Sequence, residues 1–340
     1  MASAAPPVSL PDEATLLRAV QAAVRAPSVY NSQPWRWRVD RKAGIDLFAD
    51  RDRHLITIDS GGRDLLLSCG AALAHLVVAL AGLGLSAQVD RFPDPEDSDH
   101  LARVRPTEAT PTETQVADLA RLAPAILLRR TDRRRFAAAP VDPHLLDTLV
   151  THADRCGADL YVVTGATART RLIETIARSA SLQRQQAGYG AELARWTGRY
   201  SAAADGIESS TIAAGIDLPG DVPMRRFTAG RLRQPTHSLE HADASVLMVL
   251  SARSDDRLGT LRAGEAVGAV LLAATGMGLA TTPLSQPLEV ARTRDWVSEH
   301  LVGAAVFPQL VIRVGWPDEH AAALPPTLRR GADHVLLRKP

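Results

Sequence analysis

RDLLLSCGAALAHLVVALAGLGL, residues 63–85, and RLGTLRAGEAVGAVLLAATGMGL, residues 257–279, align without a gap. Arg63 falls on Arg257, Leu67 on Leu261, Gly70 on Gly264 and Ala72 on Ala266. Further along, Ala79, Gly82, Gly84 and Leu85 fall on Ala273, Gly276, Gly278 and Leu279. Both segments are apolar on all sides and run out at glycine, so each reads as a long core helix. The two copies start at 63 and 257, far too distant for a solenoid array, and read as one internal duplication. The competing explanation is chance likeness between two Ala/Leu/Gly-rich helices.

The core helices are expected over 63–82 and 261–276, and, working outward, further helices over 12–25, 114–122, 143–154, 167–182, 191–199 and 288–299. Short strands are expected at 35–39, 45–48, 101–105, 160–163, 245–250 and 309–314. Asp142 before Pro143 is a natural helix start. The mixture is α+β, with residues 1–120 as one half and 121–340 as the other. Residues 93–114, rich in Asp, Glu, Pro and Thr, read as a linker around the strand at 101–105. Between 183 and 243 the pattern decays, with glycine at 188, 190, 198, 206, 215, 220 and 230 and proline at 219, 223 and 235. A stretch this long with little regular structure is either a packed functional lid or disordered. Trp196, Tyr200, Met224 and Phe227 give it side chains to bury and favour the lid.

Composition narrows the function. The chain has 340 residues, 46% hydrophobic and 23% charged, an ordinary globular balance. Lys+Arg is 39 against Asp+Glu 38, so no whole-molecule field draws in nucleic acid or an anionic membrane. The two cysteines, Cys69 and Cys156, are too few for a disulfide framework. MASAAPPVSLPDE, the first 13 residues, has neither a basic nor an apolar signal region, so a cytoplasmic location is expected. The longest apolar run, 70–85, is short for a membrane span and contains His75.

Two stretches carry candidate chemistry. APSVYNSQPWRWRV, residues 26–39, sets hydroxyl, carboxamide and phenol groups between two prolines. Proline fixes its own φ and biases the residue before it, so this is a rigid loop. Its donors and acceptors suit the edge of a planar heteroaromatic ring, or they serve only the loop's own backbone. RRTDRRRF, residues 129–136, offers five arginines and a threonine. Guanidinium forks and a hydroxyl suit a phosphate, and a solvated charge run is the plain alternative. Aromatic content of 4% and a neutral chain argue against nucleic acid. Gly82-Leu83-Gly84 and Gly276-Met277-Gly278 end helices, whereas a dinucleotide fingerprint opens one. His237 and His241 flank Glu240, but the zincin pattern needs Glu directly after the first His, so no metal is expected there. No nucleophile-elbow serine pattern occurs.

These stretches resemble the FMN-dependent nitroreductase family. APSVYNSQPW is similar to its P-S-x-x-N-x-Q-P-W segment. RRTDRRRF followed by PVDPHLLDTL resembles its phosphate motif and first helix. AATGMGLATTPLSQPLE, residues 273–289, resembles its core helix and flavin-contacting loop. FPQLVIRVGWPDE with LPPTLRR resembles its last strand and arginine-bearing tail. The fit is best to the Acg-type NAD(P)H nitroreductases of mycobacteria, in which two nitroreductase-like halves share one chain.

The resemblance implies an intrachain pseudo-dimer with one FMN between its halves. It places Arg129, Arg130, Thr131 and Arg133 near the FMN phosphate, joined by Arg329 and Arg330. Ser28, Asn31 and Gln33 would line the flavin from the other half, and Pro283, Leu284, Ser285 and Gln286 would pass its reactive edge. Ser285 and Gln286 stand where the family often has an acidic residue and a glycine. The first half lacks the arginine motif and the second lacks P-S-x-x-N, so the halves complement each other. The implied activity is NAD(P)H-dependent reduction of nitroaromatic or quinone-like acceptors, with no catalytic side chain demanded. The alternative is a protein that holds FMN under a closed lid, with Trp196 or a neighbour over the open face.

Overall fold

The computed structural model describes residues 11–108, 114–199, 204–214, 218, 220–227 and 230–337. Tyr200 and the first ten residues, on which expectations were placed above, lie outside that set. The first half runs α1 (Glu13–Ala23), β1 (Trp35–Asp40), β2 (Gly44–Ala49), α2 (Arg63–Gly82), β3 (Leu85–Arg91) and β4 (His100–Glu108). A short helix, α3 (Thr114–Ala120), leads out of it. The second half runs α4 (Pro143–Arg155), β5 (Ala158–Val162), α5 (Ala166–Gln185), α6 (Tyr189–Trp196), β6 (Val246–Ala252), α7 (Arg257–Gly276), β7 (Ala280–Leu284) and β8 (Phe307–Gly315). Asp12, Asp142 and Asp256 cap α1, α4 and α7 by accepting from the backbone N–H of Thr15, His144 and Gly259.

The sheets have the same wiring. Their strand orders are β1-β2-β4-β3 and β5-β6-β8-β7, all antiparallel. In each half a helix precedes the first strand and a 20-residue helix joins the second strand to the third. One connection differs. Three residues, Arg41–Ala43, join β1 to β2, whereas residues 163–245 separate β5 from β6.

The α2–α7 contact shows how the halves meet. A Cβ on Gly70 would lie 2.2 Å from the Leu261 carbonyl oxygen and 2.7 Å from Gly264 Cα. A Cβ on Gly264 would lie 2.4 Å from the Leu67 carbonyl oxygen and 2.9 Å from Gly70 Cα. One turn on, a Cβ on Gly268 would lie 2.7 Å from Ala74 Cβ, and Ala74 is its counterpart in the sequence echo. Each position meets its own counterpart, which is the signature of a twofold interface. Only glycine lets the two backbones approach this closely. The fold is α+β, an intrachain pseudo-dimer. α2 and α7 are long and apolar enough to cross a membrane, but 89% and 83% of their most apolar windows are buried inside the fold.

The structure corrects several expectations. The strand expected at 101–105 is longer than expected: β4 runs over His100–Glu108 and is a nine-residue central strand of its sheet. Strand β3 escaped notice because it is an edge strand whose polar residues face outward. Residues 280–284, read as a loop, form β7 paired to β8. The helix expected over 288–299 is present in pieces: a helical turn at Gln286–Glu289, a helix at Ala291–Val297 and a π-helical turn at Ser298–Val302.

Candidate functional site

The loop after α1 is held in an unusual backbone. Tyr30, Asn31 and Gln33 have φ of 49°, 54° and 52°. Left-handed backbone at a non-glycine residue costs of order 1–3 kcal/mol, so the surroundings must impose it. Ser28 Oγ accepts from Gln33 N at 3.0 Å, and Ser68 Oγ accepts from Val29 N at 3.1 Å. Gln33 accepts from Arg330 N at 2.9 Å and donates to the Ala204 carbonyl at 2.7 Å. Asn31 donates to the Gly206 carbonyl at 3.1 Å.

That loop forms one wall of a cavity between the halves. Pro27, Ser28 and Tyr30 line it from the first half, with Asp64 and Ser68 from the start of α2. Thr131, Arg133 and Pro283–Gln286 line it from the second half. Ile207, Met224, Arg225 and Phe227 complete the wall. The Tyr30 ring meets Phe227 edge-on at 5.9 Å and the Arg225 guanidinium at 5.1 Å. Its buried hydroxyl has no partner, and burial pushes it well above the usual phenol range. Trp196 does not line the cavity; it is buried behind the wall in an apolar cluster with Tyr30, Leu55, Ile58 and Ile207, 5.2 Å from the Arg53 guanidinium.

Beside the cavity stands an uncompensated group of cations. Arg25, Arg129, Arg130 and Arg329 line one small pocket. Nε of Arg25, Nε and Nη1 of Arg129, and Nε of Arg130 are buried without a partner. Among the described residues Arg329 donates only to backbone carbonyls, Ala26 at 3.3 Å and Leu328 at 3.0 Å among them. Burial, then the neighbouring guanidiniums, push Arg129 down to about 10 and Arg329 to about 9. Among the described residues no carboxylate bonds to any of the four. Buried like charges are costly unless an anion joins them. His75, one turn beyond cavity-lining Ala71, feels the same field. Burial and then Arg129 push its imidazole down to about 3.

The arginine run therefore divides. Arg129 and Arg130 face the unpaired cluster. Arg133 reaches the cavity, donates to the Thr211 carbonyl at 3.1 Å and is pushed down to about 10 by burial. Arg134 is neutralised by Asp132 at 2.7 Å, and Arg135 by Asp221. Arg330, expected beside the phosphate, instead pairs with Asp50 at 3.4 Å and braces Gln33. Asn31 and Gln33 likewise sit behind the loop and hold its shape, so Ser28 is the expected residue of that segment that reaches the cavity.

Sequence reading missed Arg25, Tyr30, Asp64 and Arg225. Tyr30 lay inside the quoted motif, and its cue was the absence of any local partner for a phenol. Asp64 looked like an ordinary acid in a helix first turn. Its Oδ1 pairs with Arg63 at 2.8 Å, while Oδ2 is buried without a partner. Nearby Asp59 accepts the Asp64 and Leu65 N–H groups on both oxygens, at 3.0 and 2.8 Å. Burial pushes both carboxyls up, and the neighbouring Asp64 charge adds to the rise of Asp59, to about 8. Arg225 pairs with Glu289 at 2.6 Å, and Ser285 Oγ donates to the same carboxylate at 2.6 Å.

An α+β pseudo-dimer with a cavity and a cluster of unpaired cations between its halves has a family. The nitroreductase family model matches residues 126–316, and the chain belongs to that family. It is 42% identical over 330 residues to "Putative NAD(P)H nitroreductase Rv3131" of Mycobacterium tuberculosis, covering 96% of this chain and 92% of that protein. It is 38% identical over 323 residues to "Putative NAD(P)H nitroreductase acg" of the same species, covering 93% of each. Among solved structures, "a putative nitroreductase from Anabaena variabilis" superposes with TM-score 0.52 at 10% identity, covering 91% of this chain and 90% of that one.

Proposed function

We propose that the chain binds one FMN across its two halves and acts as an NAD(P)H-dependent reductase of nitroaromatic or quinone-like acceptors. The observation that carries this reading is the unpaired quartet Arg25, Arg129, Arg130 and Arg329 beside a cavity walled by both halves. Orphaned, buried guanidinium nitrogens fit a phosphate dianion. The cavity beyond them, apolar with polar edges, fits a flavin ring.

When bound, FMN supplies two-electron hydride chemistry between NAD(P)H and an acceptor. The residues of the chain do the rest. The arginine quartet and the Thr131 hydroxyl anchor the phosphate. Ser28 and the Pro283–Gln286 segment border the ring. Arg133 places positive charge at the cavity, where a reduced ring gathers negative charge. Asp64, paired with Arg63 through Oδ1, presents its carboxyl to the cavity. The working units are residues 1–120 and 121–340, with 183–243 as a lid inserted between β5 and β6. The test is a visible absorption spectrum of the purified protein, followed by NADPH oxidation with a nitroaromatic or quinone acceptor. A flavin spectrum with acceptor-dependent turnover is expected. A colourless protein that takes up no added FMN would overturn the reading.

A second reading has its own support. Ile207, Met224, Arg225 and Phe227 bring the 183–243 segment into the cavity wall, and the Arg225–Glu289 pair ties it down. In this reading the protein holds FMN under a closed lid and turns over slowly. Excising 202–230 then speeds reduction of bound FMN, once retained FMN binding is shown. Rapid reduction in the intact protein removes this reading and leaves the first.

A further inference from the structure

Away from the cavity, the structure gathers histidines that the sequence keeps far apart. His237 and His241 lie on a turn before β6, and His320 lies past the end of β8. His237, Asp318 and His320 bring their ligand atoms within 4.8 Å of one another, and so do His237, Glu240 and His241. His237 belongs to both sets. The Nε2 atoms of His237 and His241 face each other at 3.3 Å. That is about the edge of a tetrahedron whose metal–nitrogen bonds are about 2.0–2.1 Å. The His237 ring stands 4.8 Å from the His320 ring, and His320 Nδ1 stands 3.6 Å from Asp318 Oδ1. Asp318 is buried, whereas the three imidazoles are open to solvent.

The backbone around the cluster is fixed from beneath. Buried Arg135 donates Nε to the Ser238 carbonyl at 2.8 Å and Nη2 to the His241 carbonyl. Its backbone N–H donates to Gln234 Oε1 at 2.9 Å. Adjacent Arg134 donates to the Ala322 carbonyl at 2.8 Å, just beyond His320. Phe136 bridges Pro317, and Ala137 N donates to the Trp316 carbonyl at 2.9 Å. One four-residue stretch, 134–137, thus clamps both ligand-bearing segments side by side.

We propose that His237, His241, His320 and Asp318 bind one divalent transition-metal ion, zinc by the chemistry of three imidazoles and one carboxylate. His237, common to both triads, would join them on one ion, and four protein ligands would fill a tetrahedral shell and make the site structural. The ion clips the trailing end of the 183–243 segment to the chain that follows β8. Sequence spacing hid the site, because two of its four ligands come from residues beyond 315 and the zincin order of His and Glu is absent.

The test uses tag-free, full-length protein stripped with a chelator and titrated with zinc chloride by calorimetry, with melting temperature as a second readout. One zinc per chain is expected, with a rise in melting temperature. His237→Ala and His320→Ala each weaken zinc binding by at least the roughly 100-fold that loss of an outer partner of a metal site costs. Both variants lose the melting shift, yet melt like wild type in the presence of the chelator. His144→Ala, on an exposed face of α4, changes neither readout. Absence of saturable zinc binding, or unchanged binding in His237→Ala, overturns the proposal. If Glu240→Gln abolishes binding while His320→Ala leaves it intact, the ion sits in the turn alone and the clip is overturned. Should either alanine variant melt differently in chelator, His241→Ala and His320→Gln carry the same comparison.

Discussion

The two halves share one wiring diagram and divide the labour. In the first, β1 and β2 are joined by a three-residue hairpin, and the loop before β1 reaches the cavity. In the second, residues 163–245 stand in place of the hairpin, and the arginine run before α4 supplies the cations. Where the halves touch, each glycine meets its counterpart. Away from that seam the equivalence has lapsed. The difference teaches that symmetry is retained where backbones pack and is lost at the cavity, whose two walls are unlike.

The seam is the place to break this comparison most severely. Gly70→Leu drives a side chain into the Leu261 carbonyl 2.2 Å away, which no rotamer relieves. The cost should reach or exceed the upper end of overpacking penalties, about 3 kcal/mol, read as a lowered urea midpoint. Gly264→Leu, its counterpart, should cost about as much. A marked inequality between them would show that the seam is not twofold.

The next effect concerns the division of labour among arginines. Arg129→Ala and Arg329→Ala should weaken FMN binding about ten- to a hundredfold, the worth of one charge-assisted hydrogen bond. Riboflavin, which lacks the phosphate, should be indifferent to both. Arg134→Ala, which strips a buried partner from Asp132, should instead lower stability, measured by thermal melting. Equal losses for FMN and riboflavin in Arg329→Ala would assign that residue to folding.

A smaller contrast lies inside the paired helices. His75 of α2 corresponds to Ala269 of α7, and its folded-state value is pushed to about 3 from the ordinary 6.5. The unfolded chain therefore binds the extra proton first. Stability conferred by the neutral ring is complete above pH 6.5 and is lost as pH falls towards 3, at no more than about 1.4 kcal/mol per pH unit. His75→Ala should flatten that slope in denaturant titrations between pH 6.5 and 4.5. An unchanged slope would place the acid sensitivity elsewhere.

The smallest effect is at the helix ends. A Cβ on Gly82 would meet Ala123 Cβ at 2.7 Å, whereas one on Gly276 meets nothing within 4 Å. Gly276→Ala should stabilise by up to about 1 kcal/mol, and Gly82→Ala should not. Urea midpoints of the two variants decide it.

Much of this was legible in the sequence, unevenly. The echo placed α2 from its first residue to its last, because apolar character on every side and a terminal glycine mark both the burial and the end of a core helix. The motif around Ser28 pointed to the cavity, yet Asn31 and Gln33 turned out to brace the loop. A carboxamide has the same identity whether it meets a ligand or a distant carbonyl such as that of Ala204. The arginine run shows the same limit. Arg129 and Arg134 are indistinguishable in composition, and only the fold reveals that Asp132 answers Arg134 while no carboxylate among the described residues answers Arg129. Arg225 and the histidine cluster were beyond reach because their partners come from other segments. No local pattern records a contact between residue 237 and residue 320.

The central claim is that one flavin site is assembled per chain from two unlike walls. Titration of flavin-free protein with FMN, followed by quenching of flavin fluorescence, tests it most directly. The account predicts a single break at one FMN per 340-residue chain. A break at two FMN per chain would mean that each half carries a complete site, and would contradict it.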